Sequence, residues 1–159
     1  MNDYSNLLIA LRKITRAIDL QSQKLLKVSG LTISQLLVIK AIEKLEKPTP
    51  SSVAREILLS QGTVTNLVDR MEKKGLLRRV KAQDDKRSVH LVVTDAGKQR
   101  YADAPELLQA EFLTKYRKLE SWEQSMLLGA MERVASMMDA ENIDASPILT
   151  SEEIRQNDL

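Results

Sequence analysis

The side chains able to do chemistry in this sequence are amides, hydroxyls and guanidinium groups, and they gather in Ser60, Gln61, Thr63, Thr65, Asn66, Arg70 and Lys73. At 3.6 residues per turn, Val64, Leu67, Val68 and Met71 make an apolar stripe. Gln61, Gly62, Thr63, Thr65, Asn66, Asp69, Arg70 and Lys73 turn away from it, with Thr63, Asn66 and Arg70 on one line. Short side chains and free N–H groups at a helix start suit a phosphate, while amides and guanidinium groups can make paired hydrogen bonds to a base edge. A second cluster, Arg78, Arg79, Lys81, Lys86 and Arg87, surrounds Asp84 and Asp85. An Arg at a narrow loop tip can enter a minor groove, where negative potential is concentrated, and a neighbouring Asp can hold its guanidinium in place. The blander reading of the two clusters is a solvated helix face and a solvated charged turn.

Other chemistries lack their residues. With no Cys and one His, His90, the chain offers no zinc or iron–sulfur ligand set, no disulfide, no thiol switch and no Ser-His-Asp or Cys-His site. His90 falls on the outward face of a predicted strand and reads as inert. Asp84 and Asp85 as an acid and base pair would sit on a polar turn where nothing raises a carboxyl pKa. Gly30, Gly62, Gly75, Gly97 and Gly129 are too dispersed for a phosphate-cradling loop. The five aromatic residues include none from Pro48 to Arg100, which leaves no stacking platform for single-stranded nucleic acid. Neither an enzyme nor a cofactor or metal site is expected.

The elements that must position the two clusters follow from periodicity. Leu7, Leu11, Ile14, Ile18 and Leu25 predict one long helix from Tyr4 to Val28, ending at Ser29-Gly30. Its near-heptad seam needs a partner helix, which another chain can supply. Thr32 or Ser34 caps a second helix, apolar nearly all round and therefore buried, ending before Pro48. Pro50-Ser51-Ser52 opens a short helix, capped by Thr49 or Ser51. Ser60 opens the helix of the first cluster, Gln61 to Lys74, which ends at Gly75. Leu76 to Lys81 and Ser88 to Val93 predict a charged hairpin. Thr94 or Asp95 caps a long helix broken or restarted at Pro105, with Leu108, Phe112, Tyr116 and Leu119 on one side. Ser121 caps a last helix whose stripe is Leu127, Met131, Val134 and Met138. A tail follows, in which Thr150 to Glu153 matches a capping box.

Length and charge fit this plan. At 159 residues the chain is one domain, or one compact unit with helical extensions. Residues 1–47 carry 8 basic against 4 acidic side chains, residues 48–100 carry 11 against 6, and residues 101–159 carry 5 against 12. A basic middle and an acidic end suit a chain that presents one surface to a polyanion. The longest apolar run, Leu7 to Leu11, is far short of the roughly 20 residues that span a bilayer, and the start lacks a basic leader, so a cytoplasmic location is expected.

Helix, tight turn, helix and basic hairpin is the order of a winged helix-turn-helix. The run Ser60-Gln61-Gly62-Thr63-Val64-Thr65-Asn66-Leu67-Val68-Asp69-Arg70-Met71-Glu72 is followed by Gly75-Leu76-Leu77-Arg78-Arg79, Asp85-Lys86-Arg87-Ser88 and Thr94-Asp95-Ala96-Gly97. In this order and spacing the sequence resembles the MarR family of bacterial transcriptional regulators over about residues 4 to 140. Leu31-Thr32 ahead of the apolar second helix also matches the family's opening. The resemblance implies a mainly α (α+β) fold: a winged helix-turn-helix with a two-stranded wing over 31–99, flanked by long N- and C-terminal dimerisation helices in 1–30 and 100–140, with 141–159 as a tail. It implies a cytoplasmic, nucleoid-associated homodimer paired through the Leu7, Leu11, Ile14, Ile18 and Leu127, Met131, Val134, Met138 seam, bound to a pseudo-palindromic double-stranded DNA operator. It implies repression, relieved by a small aromatic or phenolic effector. By position Asp85 and Arg87 match the family's wing pair, with Asp84 competing for the anchor role, and Thr63, Thr65, Asn66 and Arg70 fall in its recognition helix. Lacking Cys, the chain departs from the thiol-oxidation variant of the family.

A protein-interaction module built on the same winged helix, without operator binding, is the alternative. Truncation of Arg87 and Arg70 discriminates: nucleic-acid binding is lost under the first reading and biological activity survives under the second.

Overall fold

The structure, a computed structural model, describes residues 3–81, 88–143 and 147–150. The chain divides into two compact units, one of Met1–Pro105 with Thr150–Leu159 and the other of Glu106–Leu149.

In the first unit α1 spans Asp3–Ser29, α2 Ile33–Lys44, α3 Pro50–Ile57, α4 Gln61–Lys73 and α5 Asp95–Asp103, with strands β1 (Leu77–Lys81) and β2 (Val89–Val93) between α4 and α5. Local chemistry sets these bounds. The Ser29 hydroxyl donates to the Leu25 carbonyl and accepts from the Leu31 N–H, and Gly30 takes the left-handed conformation, φ 68°, that ends α1. Thr32, rather than Ser34, caps α2, exchanging bonds with Gln35, while Ser34 is buried inside the helix. Thr49, rather than Ser51, caps α3 through a reciprocal exchange with Ser52, and Pro50 occupies the first turn, where no N–H is needed.

The core lies where α2, α3, α4 and the hairpin meet. Val38, Ile39, Val53, Val64, Val68, Met71, Leu76, Leu77 and Leu91 are all essentially buried, and each such side chain contributes about 1.5–3 kcal/mol of apolar burial. Leu67 is half-buried, so the stripe of α4 is narrower than its sequence predicts. The strands pair antiparallel from Leu77 with Val93 to Lys81 with Val89, and Arg79 lies opposite Leu91. The Leu91 N–H turns outward and donates to the Pro48 carbonyl at 2.7 Å. The Thr94 hydroxyl accepts from the Gly97 N–H as the cap of α5 and donates to the Gly75 carbonyl at 2.6 Å, tying the sheet's end to the end of α4. Leu25 anchors the C-terminal part of α1 in this core, whereas Tyr4, Leu7, Leu8, Ile9 and Ile14 stay exposed.

The long helix predicted after Thr94 stops at Asp103. Ala104 is extended, as a residue ahead of proline must be, and the helix does not resume until α6, Leu108–Tyr116. In the second unit α6 is followed by α7, Ser121–Met137. Glu120, not Ser121, stands at the cap of α7, and its N–H donates to the Glu123 carboxylate at 2.9 Å. The Gln124 amide donates to the carbonyls of Tyr116 and Leu119 and braces the turn, and Phe112 stacks on Tyr116 at 5.9 Å. Part of the expected tail is docked: Gln109 donates to the Pro147 carbonyl and accepts from the Leu149 N–H, each at 3.0 Å, with Ile148 buried between them. Most of the Thr150–Glu153 capping box lies outside the described residues. Among the described residues, no single helix is long and apolar enough to cross a membrane.

Candidate nucleic-acid interface

The turn between α3 and α4 is three residues long, Leu58-Leu59-Ser60, and its geometry fixes how α4 is presented. Leu58 takes a left-handed conformation, φ 58° and ψ 37°, that costs a non-glycine residue about 1–2 kcal/mol. The Leu59 N–H then closes on the Ala54 carbonyl, and the buried Leu59 side chain pins the turn to the core. Ser60 follows as the cap of α4, its hydroxyl accepting from the Thr63 N–H at 3.1 Å. The N–H groups of Gln61 and Gly62 have no acceptor within the helix and face out of its positive end.

Most of the residues predicted for this face are on it. Ser60, Gln61, Arg70 and Lys73 are exposed, and Thr65 and Asn66 are half-exposed. Thr63 is the correction. It is only 4% exposed, and its hydroxyl sits 2.8 Å from the Ser60 hydroxyl. It therefore completes the cap instead of joining Asn66 and Arg70 on the outer line. The signal was the Ser60-x-x-Thr63 spacing, which places a hydroxyl at the third helical position, back toward the cap. Thr65 spends its own hydroxyl proton on the Gln61 carbonyl at 2.8 Å, leaving its oxygen as an acceptor.

On the hairpin, Arg78 and Lys81 are exposed. Arg79, predicted to face outward with them, turns back to α4. Its guanidinium donates to Asp69 at 2.6 Å and to Glu72 at 2.5 Å, and its backbone N–H donates to the same Glu72 carboxylate at 3.0 Å. Burial alone lowers the Arg79 pKa, but the hydrogen bonds and charges of Asp69 and Glu72 outweigh it and raise the value. The group stays charged at any working pH. Two features of the sequence carried this arrangement. Arg79 shares the inward face of β1 with Leu77, and Asp69 and Glu72 are three residues apart on one face of α4. Asp84, Asp85, Lys86 and Arg87 lie outside the described residues.

The predicted seam falls on both units. Leu7 and Ile14 of α1 are exposed, and Leu11 and Ile18 half-buried; Leu127 and Met131 of α7 are exposed, Val134 half-buried, and Met138, just past the helix end, exposed. Trp122, Met126 and Leu128 add to the apolar surface of α7, which has no buried residue. Among the described residues, every buried side-chain nitrogen and oxygen has a hydrogen-bond partner, and no three His, Cys, Asp or Glu side chains are grouped to hold a metal.

A helix, a left-handed turn, a second helix with a polar outer face and a two-stranded antiparallel wing define a winged helix-turn-helix. Residues 29–88 match the model of the MarR family. The transcriptional regulator SarZ of Staphylococcus haemolyticus is 38% identical over 72 residues, which are 45% of this chain and 49% of that protein. The chain thus spans about half the length of the curated SarZ relatives it matches. Among solved structures, the transcriptional regulator BldR of Sulfolobus solfataricus is 26% identical with a TM-score of 0.53, over 86% of this chain and 99% of that one. The M. tuberculosis regulator MOSR, solved in complex with DNA, shares the fold at 20% identity and a TM-score of 0.52, over 90% of this chain and all of the other.

Proposed function

We propose that this protein is a sequence-specific double-stranded DNA-binding transcriptional regulator, acting in the bacterial cytoplasm at the nucleoid. The observation that carries the reading is the outer face of α4. Ser60, Gln61, Thr65, Asn66, Arg70 and Lys73 lie along a helix whose first N–H groups face out, and Arg78 and Lys81 of β1 are exposed as well. Hydroxyls and N–H groups at the helix start meet phosphate, and Asn66 and Arg70 reach base edges. Gly62 supports this. A Cβ there would meet nothing closer than the Ser60 hydroxyl at 4.0 Å, so packing within the chain does not call for glycine, whereas close approach of a phosphate does. MOSR, of similar fold, was solved with DNA.

The protein acts as a homodimer. Large apolar side chains stand exposed along α1 (Tyr4, Leu7, Leu8, Ile9, Ile14) and α7 (Trp122, Met126, Leu127, Leu128, Met131), and a second copy covers them. Two recognition helices then meet successive major grooves about 34 Å apart on a pseudo-palindromic operator. Binding represses, and a small aromatic effector that prefers a different spacing of the two helices releases it, with coupling of about 1–3 kcal/mol.

The test is titration of the purified protein against its own upstream DNA and a scrambled duplex across salt. A preference of about 1000-fold or more is expected, and equal, steeply salt-dependent binding would overturn the reading. Sedimentation of an Ile14→Glu, Met131→Glu variant checks the dimer. Both side chains are exposed in the chain, so the variant is expected to fold, to sediment as a monomer and to lose operator affinity.

A further inference from the structure

We propose that Arg79 is a positioning residue that locks the wing to the recognition helix and does not itself touch DNA; this rests on the DNA-binding reading above. Three observations carry it. First, the guanidinium is turned into the chain: one of its nitrogens donates to Asp69, another donates to Glu72, and the backbone N–H donates to Glu72 as well. An Arg that reaches a phosphate or a base presents its fork outward, as Arg78 on the opposite face of the strand is free to do.

Second, the bonds span the one joint between α4 and the wing. Between Glu72 and Arg79 the chain reverses at Gly75, φ 69°, where a Cβ would meet nothing within 4 Å. Backbone bonds within the turn and the Thr94 hydroxyl on the Gly75 carbonyl hold the root of β1, and the Arg79 bonds hold the strand two residues further along. The two carboxylates, one turn apart on α4, grip the strand at both its backbone and its side chain, which fixes both position and rotation.

Third, the charges are matched. Asp69 and Glu72 stand on the helix offered to a polyanion, and Arg79 pairs with both of them inside the chain.

The experiment compares Arg79→Gln, Arg79→Lys, Glu72→Ala and the Arg79→Gln, Glu72→Ala double variant. Each is titrated on an operator fragment and a scrambled duplex across salt, and amide exchange of β1 and β2 is measured on the free proteins. Arg79→Gln and Glu72→Ala are each expected to bind operator about 3- to 30-fold more weakly. The double variant should be no weaker than the worse single one. Arg79→Lys, which keeps the charge but cannot hold both carboxylates, should recover part of the loss. The slope of log affinity on log salt should stay that of the wild type, and the strand amides should exchange faster. A slope shallower by about 0.9 in Arg79→Gln would reveal a lost phosphate contact and overturn the proposal, as would additive losses. Should the wild type itself show no preference for operator, the DNA-binding reading fails, and the exchange data still decide the clamp. Unchanged strand exchange in Arg79→Gln overturns it; faster exchange that the double variant does not increase sustains it.

Discussion

Gly97 lies so close to the backbone of Leu76 that a Cβ added to it would stand 2.1 Å from the Leu76 carbonyl oxygen and 2.7 Å from a methyl of Val93. The first turn of α5 thus sits directly on the end of the wing, where the same carbonyl accepts from the Thr94 N–H at 3.1 Å. A backbone carbonyl held in this way cannot step aside. Gly97→Ala is expected to cost about 2–3 kcal/mol despite the better helix propensity of alanine. Thermal unfolding checks it, with a Tm lower by about 4–12 °C.

Leu58 makes the opposite case. It is exposed and in a left-handed conformation, so Leu58→Asn gives up no buried contact and relieves the backbone. The variant is expected to be more stable by about 0.5–1 kcal/mol, read as a higher urea midpoint with unchanged slope. A changed slope would mean that the helix-turn-helix had rearranged.

Gly62 separates stability from binding. In the first turn of α4 with open space around it, Gly62→Ala should stabilise the fold by about 0.5 kcal/mol. The added methyl stands where a phosphate approaches, so operator affinity should fall while Tm rises. A rise in both would remove Gly62 from the interface.

Arg70 and Lys73 occupy successive turns of the same face and should fail differently. Arg70→Ala is expected to cost about 1–3 kcal/mol on operator and to relax the preference at one base pair. Lys73→Ala should weaken operator and scrambled duplex alike and lower the salt slope by about 0.9. Selection of binding sites from a randomised duplex pool by each variant distinguishes the two.

How far the sequence carried these assignments depended on whether one local period was enough. The helices of the winged unit were legible because Val64, Val68 and Met71 repeat at one period and Ser60, Gly75 and Pro50 punctuate them. The break after Asp103 was legible as an interruption at Pro105, but not as a boundary between units, because compactness depends on contacts that no single period records. Thr63 and Arg79 were misplaced for a shared reason. Each is polar and was read as facing solvent, yet each meets another polar group: Thr63 the hydroxyl of its own cap, Arg79 two carboxylates from a different element. Periodicity sorts apolar from polar positions and says nothing about polar groups that satisfy one another. The docking of Pro147–Leu149 on Gln109 was hidden for a related reason, since the contact is made by backbone groups any residue carries.

The rung of the hairpin formed by Arg79 and Leu91 has one more effect. At this rung the two N–H groups turn away from each other, one to the Glu72 carboxylate and the other to the Pro48 carbonyl. A two-stranded ribbon has two open margins, and each is a template on which a stray strand from another molecule can grow. Here one margin is stoppered by a charged side chain and the other by a proline, which accepts a bond but has no N–H to carry the ladder on. The wing can therefore stand out in solvent, where a groove is reached, without becoming the seed of an aggregate.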